Sequence, residues 1–185
     1  MKLVRKIFSK NEVMHLLFAS FLTSFVAFYP NYLTVFLFFP LSLLIIFISI
    51  GTQKYFSEKM FRSKTEYELS LHSSVLSLLL LIVGIRFPLF LLKKTFPYKF
   101  GRWGFREKRL TVPEEGMISL IPVLLSTFSI LLLLQLPSCK FLASLISLSF
   151  LFPLPPYNGK SLVEWKGWLW FLLTLSSISF AVGFF

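Results

Sequence analysis

The sequence is poor in the residues on which most active sites are built. One cysteine (Cys139) and two histidines (His15 and His72) stand among 185 residues. A single cysteine excludes an intrachain disulfide. Two isolated histidines leave no H-E-x-x-H anywhere in the chain, the motif that sets two imidazoles on one helix face to hold zinc. Acids are scarce as well: 8 Asp and Glu face 19 Lys and Arg, for a formal charge of +11. No polar stretch is long enough to bury a core of its own, which excludes a separate soluble domain. No nucleic-acid-binding motif accompanies the basic excess. The charge is therefore read as basic loops beside anionic headgroups, and no nucleic-acid partner is expected.

What the chain does have is apolar surface. Hydrophobic residues make up 56% of it, and its mean hydropathy is +0.76. Several runs approach the roughly 20 residues that span a hydrocarbon core. This composition predicts an all-α polytopic membrane protein, multi-pass in the cell membrane, with one domain over 1–185 and the lipid bilayer as its first partner. Six hydrophobic segments are expected, over 13–29, 33–50, 73–92, 117–136, 141–151 and 168–184. Pro30-Asn31 makes the first two a tight hairpin. Lys54, Glu58 and Arg62 fall four apart, as an i,i+4 ladder would require. Residues 93–116 carry glycines, prolines and alternating aromatics, which predicts a β-hairpin near the interface.

Charge counting shapes the topology. If all six segments cross, nine Lys/Arg fall on each side, and the positive-inside rule has nothing to act on. If the third segment enters, breaks near Arg86-Phe87-Pro88 and returns, seventeen fall on one side and Lys140 alone on the other. The third segment is therefore expected to be re-entrant or pinned inside the bundle, where non-helical backbone can be buried in protein.

Few side chains suggest chemistry. His15 reads as an interfacial histidine near a helix start, His72 as a capping or surface partner of Glu68, and Cys139 as an incidental loop residue. The many serines (Ser20, Ser24, Ser42, Ser126, Ser129, Ser144, Ser147 and Ser149) read as packing and hydrogen-bonding residues between helices. Basic and aromatic residues over Lys93–Arg109 suit an interfacial belt.

One stretch is different. Phe152-Pro153-Leu154-Pro155-Pro156-Tyr157-Asn158-Gly159-Lys160 resembles the N-x-x-P-x-P-P-x-D-G motif of the intramembrane site-2 protease family, in particular its small archaeal members. Glu115-Gly116-Met117-Ile118-Ser119-Leu120-Ile121-Pro122 is similar to the family's N-G-x-I-S-L-A-G-P. Glu66-Tyr67 resembles its A-E-[FY]-R pattern. The matches occur in the family's order over roughly 33–185, and Pro153, Pro155, Pro156, Ser119 and Pro122 form the motif framework. The resemblance implies a metalloprotease bundle, with zinc held by two histidines and the motif aspartate, and water activated by a glutamate.

The chain departs from that pattern at every chemical position. Aligning Lys54 with the lysine that often follows the second histidine puts Ser49 and Gln53 at the ligand positions and Ile50 at the base. Asn158, followed by Gly159, replaces the aspartate. Uncharged Ser, Gln and Asn are poor zinc ligands. The resemblance thus implies a catalytically inactive relative with no cofactor, acting as a membrane binding or scaffold protein, with a transmembrane segment of another protein as a possible partner. An active protease with atypical ligands, or a subunit of a transport or translocation complex, are the other readings. If the alignment is right, the side chains of Gln53 and Asn158 approach within hydrogen-bonding range.

Overall fold

The computed structural model describes residues 8–61, 63, 65–89, 91–95, 98–99, 108–133, 136–153 and 157–182. Six helices and four short strands follow in the order α1 (Lys10–Phe28), α2 (Tyr32–Phe61), β1 (Thr65–Leu69), α3 (Leu71–Ile82), β2 (Leu91–Thr95), β3 (Tyr98–Lys99), β4 (Lys108–Arg109), α4 (Val112–Leu132), α5 (Pro137–Leu151) and α6 (Asn158–Val182). Among the described residues, α1, α2 and α4 are long and apolar enough to cross a membrane. Six hydrophobic segments were expected, the third of them re-entrant or pinned. The other helices fall short for separate reasons: α3 and α5 have 12 and 15 residues, and α6 breaks at Lys166 (φ −147°, ψ 85°).

Helix boundaries move for local reasons. Ser9 opens α1 through a capping box: its Oγ accepts from the Glu12 N–H, and Glu12 Oε2 accepts from the Ser9 N–H, both at 3.1 Å. That geometry satisfies two of the orphan donors at a helix start. α2 continues eleven residues past the apolar segment that ends at Ile50, as the helical spacing of Lys54 and Glu58 suggests. α4 starts at Val112 rather than Met117, where the Thr111 N–H donates to Glu114 Oε2 at 2.9 Å. Cys139, expected in a loop, is buried in the first turn of α5.

The bundle has two ends. Phe28 and Phe141 meet at 6.5 Å between ring centroids, so the Tyr29–Asn31 turn and the start of α5 share a turn end. The last turns of α2, the first turn of α1, β1, and the starts of α4 and α6 share the opposite strand end.

Small polar side chains share the interior with apolar ones, while large apolar side chains cover the outside. α2 buries Ser42, Ser49, Gln53 and Ser57 while Leu33, Phe36, Leu37, Leu44 and Ile48 are exposed. An apolar outer face with hydroxyls at the contacts is the pattern of helices solvated by hydrocarbon. Ser24 Oγ donates to Ser42 Oγ at 2.9 Å, and Ser42 Oγ lies 2.8 Å from the Ser20 carbonyl, tying α1 to α2. Thr127, Ser147 and Ser177 link α4, α5 and α6 at 3.1 and 3.0 Å. Each such contact in a membrane is worth roughly 0.6 kcal/mol on average.

The third segment returns to the end it leaves. At about 1.5 Å per residue, α3 covers only about 18 Å of a roughly 30 Å core. The chain then turns at Gly84, whose φ of +88° suits a residue without Cβ. Residues 85–89 come back without regular structure, and the Leu89 N–H donates to Ser77 Oγ at 2.7 Å. β2 pairs antiparallel with β1, Glu66 opposite Lys94 and Leu69 opposite Leu91. The expected reversal is present, at Gly84, two residues before Arg86. Its Nη2 donates to the Tyr29 carbonyl at 3.3 Å, at the turn end.

The hairpin expected over 93–116 is present in part. β3 pairs antiparallel with β4, Tyr98 opposite Arg109, while the intervening tip lies outside the described residues. β1, TEYEL, falls in a stretch of mixed charge. It forms because β-branched Thr65 and aromatic Tyr67 alternate inward, both buried. His72 and Glu68 are not helical neighbours, since Glu68 lies in β1 and Ser70 caps α3 between them, accepting from the Ser73 N–H at 3.2 Å.

Candidate functional site

Three helix and strand positions converge at the strand end. Gln53 comes from α2, Tyr67 from β1 and Asn158 from the first residue of α6, and all three are almost wholly buried. The Tyr67 hydroxyl donates to Gln53 Oε1. Gln53 Nε2 donates to Asn158 Oδ1 at 3.2 Å. Asn158 Nδ2 donates to Tyr67 Oη at 3.1 Å. The three bonds close a ring in which every member gives one bond and takes one. Such closure matters because an unpaired buried polar group costs about 1–3 kcal/mol.

A second polar cluster anchors the ring. Glu12 of α1 grips Lys54 Nζ through both oxygens, at 2.7 and 2.6 Å. Its Oε1 also accepts the Tyr67 backbone N–H at 3.1 Å. The Phe8 ring lies 4.9 Å from the Lys54 ammonium. One buried carboxylate therefore holds α1, α2 and β1 together. Lys54 turns inward to Glu12 instead of extending a surface ladder toward Glu58, and Arg62 lies outside the described residues. Burial pushes the Tyr67 phenol up from its ordinary 10.0. Its hydrogen bonds with Asn158 and Gln53 pull the other way, and the Glu12 carboxylate adds to the rise. The phenol is a neutral donor, not a phenolate.

Asn158 is positioned by the backbone behind it. A Cβ on Gly159 would stand 2.1 Å from the Leu151 carbonyl oxygen and 2.4 Å from that of Phe152. Only glycine lets the end of α5 press against the start of α6. Nearby, a Cβ on Gly116 would meet Trp165 at 2.5 Å, so α4 lies directly on α6. Tyr157 Oη donates to Ser73 Oγ at 2.7 Å, joining the motif to α3. Burial raises its phenol too, against the pull of that bond.

The approach of Gln53 to Asn158 expected from the sequence is therefore observed. Ser49 is buried one turn earlier on α2, and Ile50 packs into the apolar core with Ile46, Leu142 and Leu162. Ser119 and Pro122 are buried in α4. Pro153 is exposed, and Pro155 and Pro156 lie outside the described residues. Tyr67, the hub of the ring, was seen only as part of a sequence pattern. Its signal was the alternation in TEYEL. His15 sits in α1 with its Nδ1 buried and unpartnered among the described residues, away from any ligand cluster.

The donor set does not fit the zinc that the resemblance implies. Two carboxamides and a neutral phenol satisfy one another and offer no anionic or imidazole ligand. The eight acids are all glutamate, so no aspartate can replace Asn158. Among the described residues no group of three or more His, Cys, Asp or Glu could hold a metal. No protein-family model, curated protein or solved structure matches the chain.

Proposed function

We propose that this chain is a multi-pass membrane protein related to the site-2 intramembrane proteases that has given up catalysis and serves as a binding or scaffold protein, with a transmembrane segment of another protein as its partner. The carrying observation is the closed ring of Gln53, Tyr67 and Asn158. It occupies the meeting point of α2 and the Pro-rich motif, where the family would assemble its metal. Hydrogen bonds within the ring take the place of metal bonds in joining the two elements. The arrangement of Gly159 and Gly116 supports the same reading, since both motif glycines are demanded by close backbone or ring contacts.

The test is proteolysis in a bilayer. Full-length protein is reconstituted in liposomes with a fluorogenic transmembrane peptide. The expected result is no cleavage above that of an Asn158→Ala variant, together with photo-crosslinking of the intact peptide. Turnover that disappears in Asn158→Ala would overturn the proposal.

A further inference from the structure

A groove elsewhere in the bundle points to a ligand of another kind. It runs between α5, α6 and the returning segment, as two adjoining cavities of about 340 and 370 Å³. Phe87, Leu148 and Ile178 line both, Phe141 marks the turn end, and Pro153 and Trp170 mark the other end. Both volumes lie in the usual range of ligand sites, about 300–1,000 Å³.

Three features decide the occupant. First, from Phe141 to Leu151 the groove follows α5 for about 15 Å at 1.5 Å per residue. That is half of a roughly 30 Å hydrocarbon core, the depth of one leaflet and not of a spanning helix. Second, the lining is apolar apart from Thr174, whose hydroxyl donates to the Trp170 carbonyl at 2.8 Å, and Arg86, which forms part of the wall at one end. Lys140 stands at that same end, beside Phe141 in the first turn of α5. Third, the described glutamates (Glu12, Glu58, Glu66, Glu68, Glu114, Glu115 and Glu164) lie at or beyond the strand end. The two cations therefore have no carboxylate side chain near them among the described residues. The Tyr29 carbonyl takes one N–H of the Arg86 guanidinium, which carries five donors in a fork suited to phosphate.

We propose that this groove binds one acyl chain of an anionic phospholipid, with its phosphate at Arg86 and Lys140. The site rests on the membrane placement proposed above, and not on the loss of protease chemistry. The bound lipid would fill the space between the returning segment and α5–α6, so that the α3 loop docks through lipid as well as through protein.

Native mass spectrometry of the full-length protein tests this, with detergent micelles doped with phosphatidylglycerol or phosphatidylcholine. Phosphatidylglycerol is expected to stay bound and phosphatidylcholine to be lost. Arg86→Ala should weaken phosphatidylglycerol binding about tenfold, the worth of one charge-assisted hydrogen bond, and Arg86→Lys should restore part of it. Ile178→Trp, which fills the groove without touching the charge, should displace the lipid. Equal retention of both lipids, or retention unchanged in both Arg86→Ala and Ile178→Trp, overturns the site. A copurifying peptide in the groove instead of lipid also overturns it. Carbonate extraction from membranes separates the two readings: release of the protein would refute the membrane placement and the lipid site together.

Discussion

At the strand end, polar groups are turned inward and satisfy one another, while at the turn end Arg86 stands in the wall of an apolar groove. The strand end combines a ring of three neutral side chains with a buried ion pair. Its stability depends on every partner staying in place. The turn end has Arg86 donating to the Tyr29 carbonyl and Asn31 Oδ1 accepting from the Thr34 N–H. A buried polar cluster can be specific when its hydrogen bonds form a closed set. A rim that is left open keeps its charge available for something outside the protein.

The comparison breaks most readily at Glu12. Glu12→Ala strands the Lys54 ammonium in the interior and frees the Tyr67 N–H. We expect a loss of about 3–5 kcal/mol in reversible unfolding by SDS in mixed micelles. Glu12→Leu with Lys54→Leu should recover most of that loss, because an uncompensated charge costs more than the absent pair. A cost under about 1 kcal/mol for Glu12→Ala would mean the anchor is not holding the strand end.

Next in size is Gly159→Ala, whose methyl would collide with the Leu151 and Phe152 carbonyls. It should cost about 1–3 kcal/mol or more. Gly167→Ala, where nothing stands within 4 Å, should be nearly silent in the same unfolding assay. Equal effects would deny that the α5–α6 junction is tight.

Tyr67→Phe opens the ring, and about 1–3 kcal/mol is expected from the unpaired amides. It also carries a pH signature. The folded phenol titrates above its ordinary value of 10.0, so its contribution is complete below pH 10 and is lost as pH rises beyond it. Wild-type stability should therefore decline more steeply above pH 10 than that of Tyr67→Phe. Parallel curves would show that Tyr67 is not the buried hub. Arg86→Ala should be the mildest, within about 0.5 kcal/mol, because its role lies at the rim. Topology sharpens the contrast further: cysteines at Glu66 and Lys94, which pair across the sheet, should label from one side of the membrane, and a cysteine at Asn31 from the other.

The site was more legible than the framework around it. Aligning the Pro-rich stretch and Lys54 by the resemblance singles out Gln53 and Asn158, and their side chains do meet, at 3.2 Å. Charge asymmetry foretold the return of the third segment. The number of long helices was not legible, since the sequence is apolar on nearly every face and periodicity carries little signal in such helices. Tyr67 was hidden because β1 has only five residues and sits among charged neighbours. The partner of Lys54 was hidden for another reason. Glu12 lies 42 residues away, and a local i,i+4 neighbour offered an easier explanation that the folded chain does not use.

The central claim is that hydrogen bonds among Gln53, Tyr67 and Asn158 stand where the family resemblance would put zinc. Elemental analysis of the purified full-length protein, equilibrated with zinc and then desalted, tests it most directly. Far less than one zinc per chain is expected, unchanged in Asn158→Ala. One zinc per chain that is lost in Asn158→Ala would contradict it.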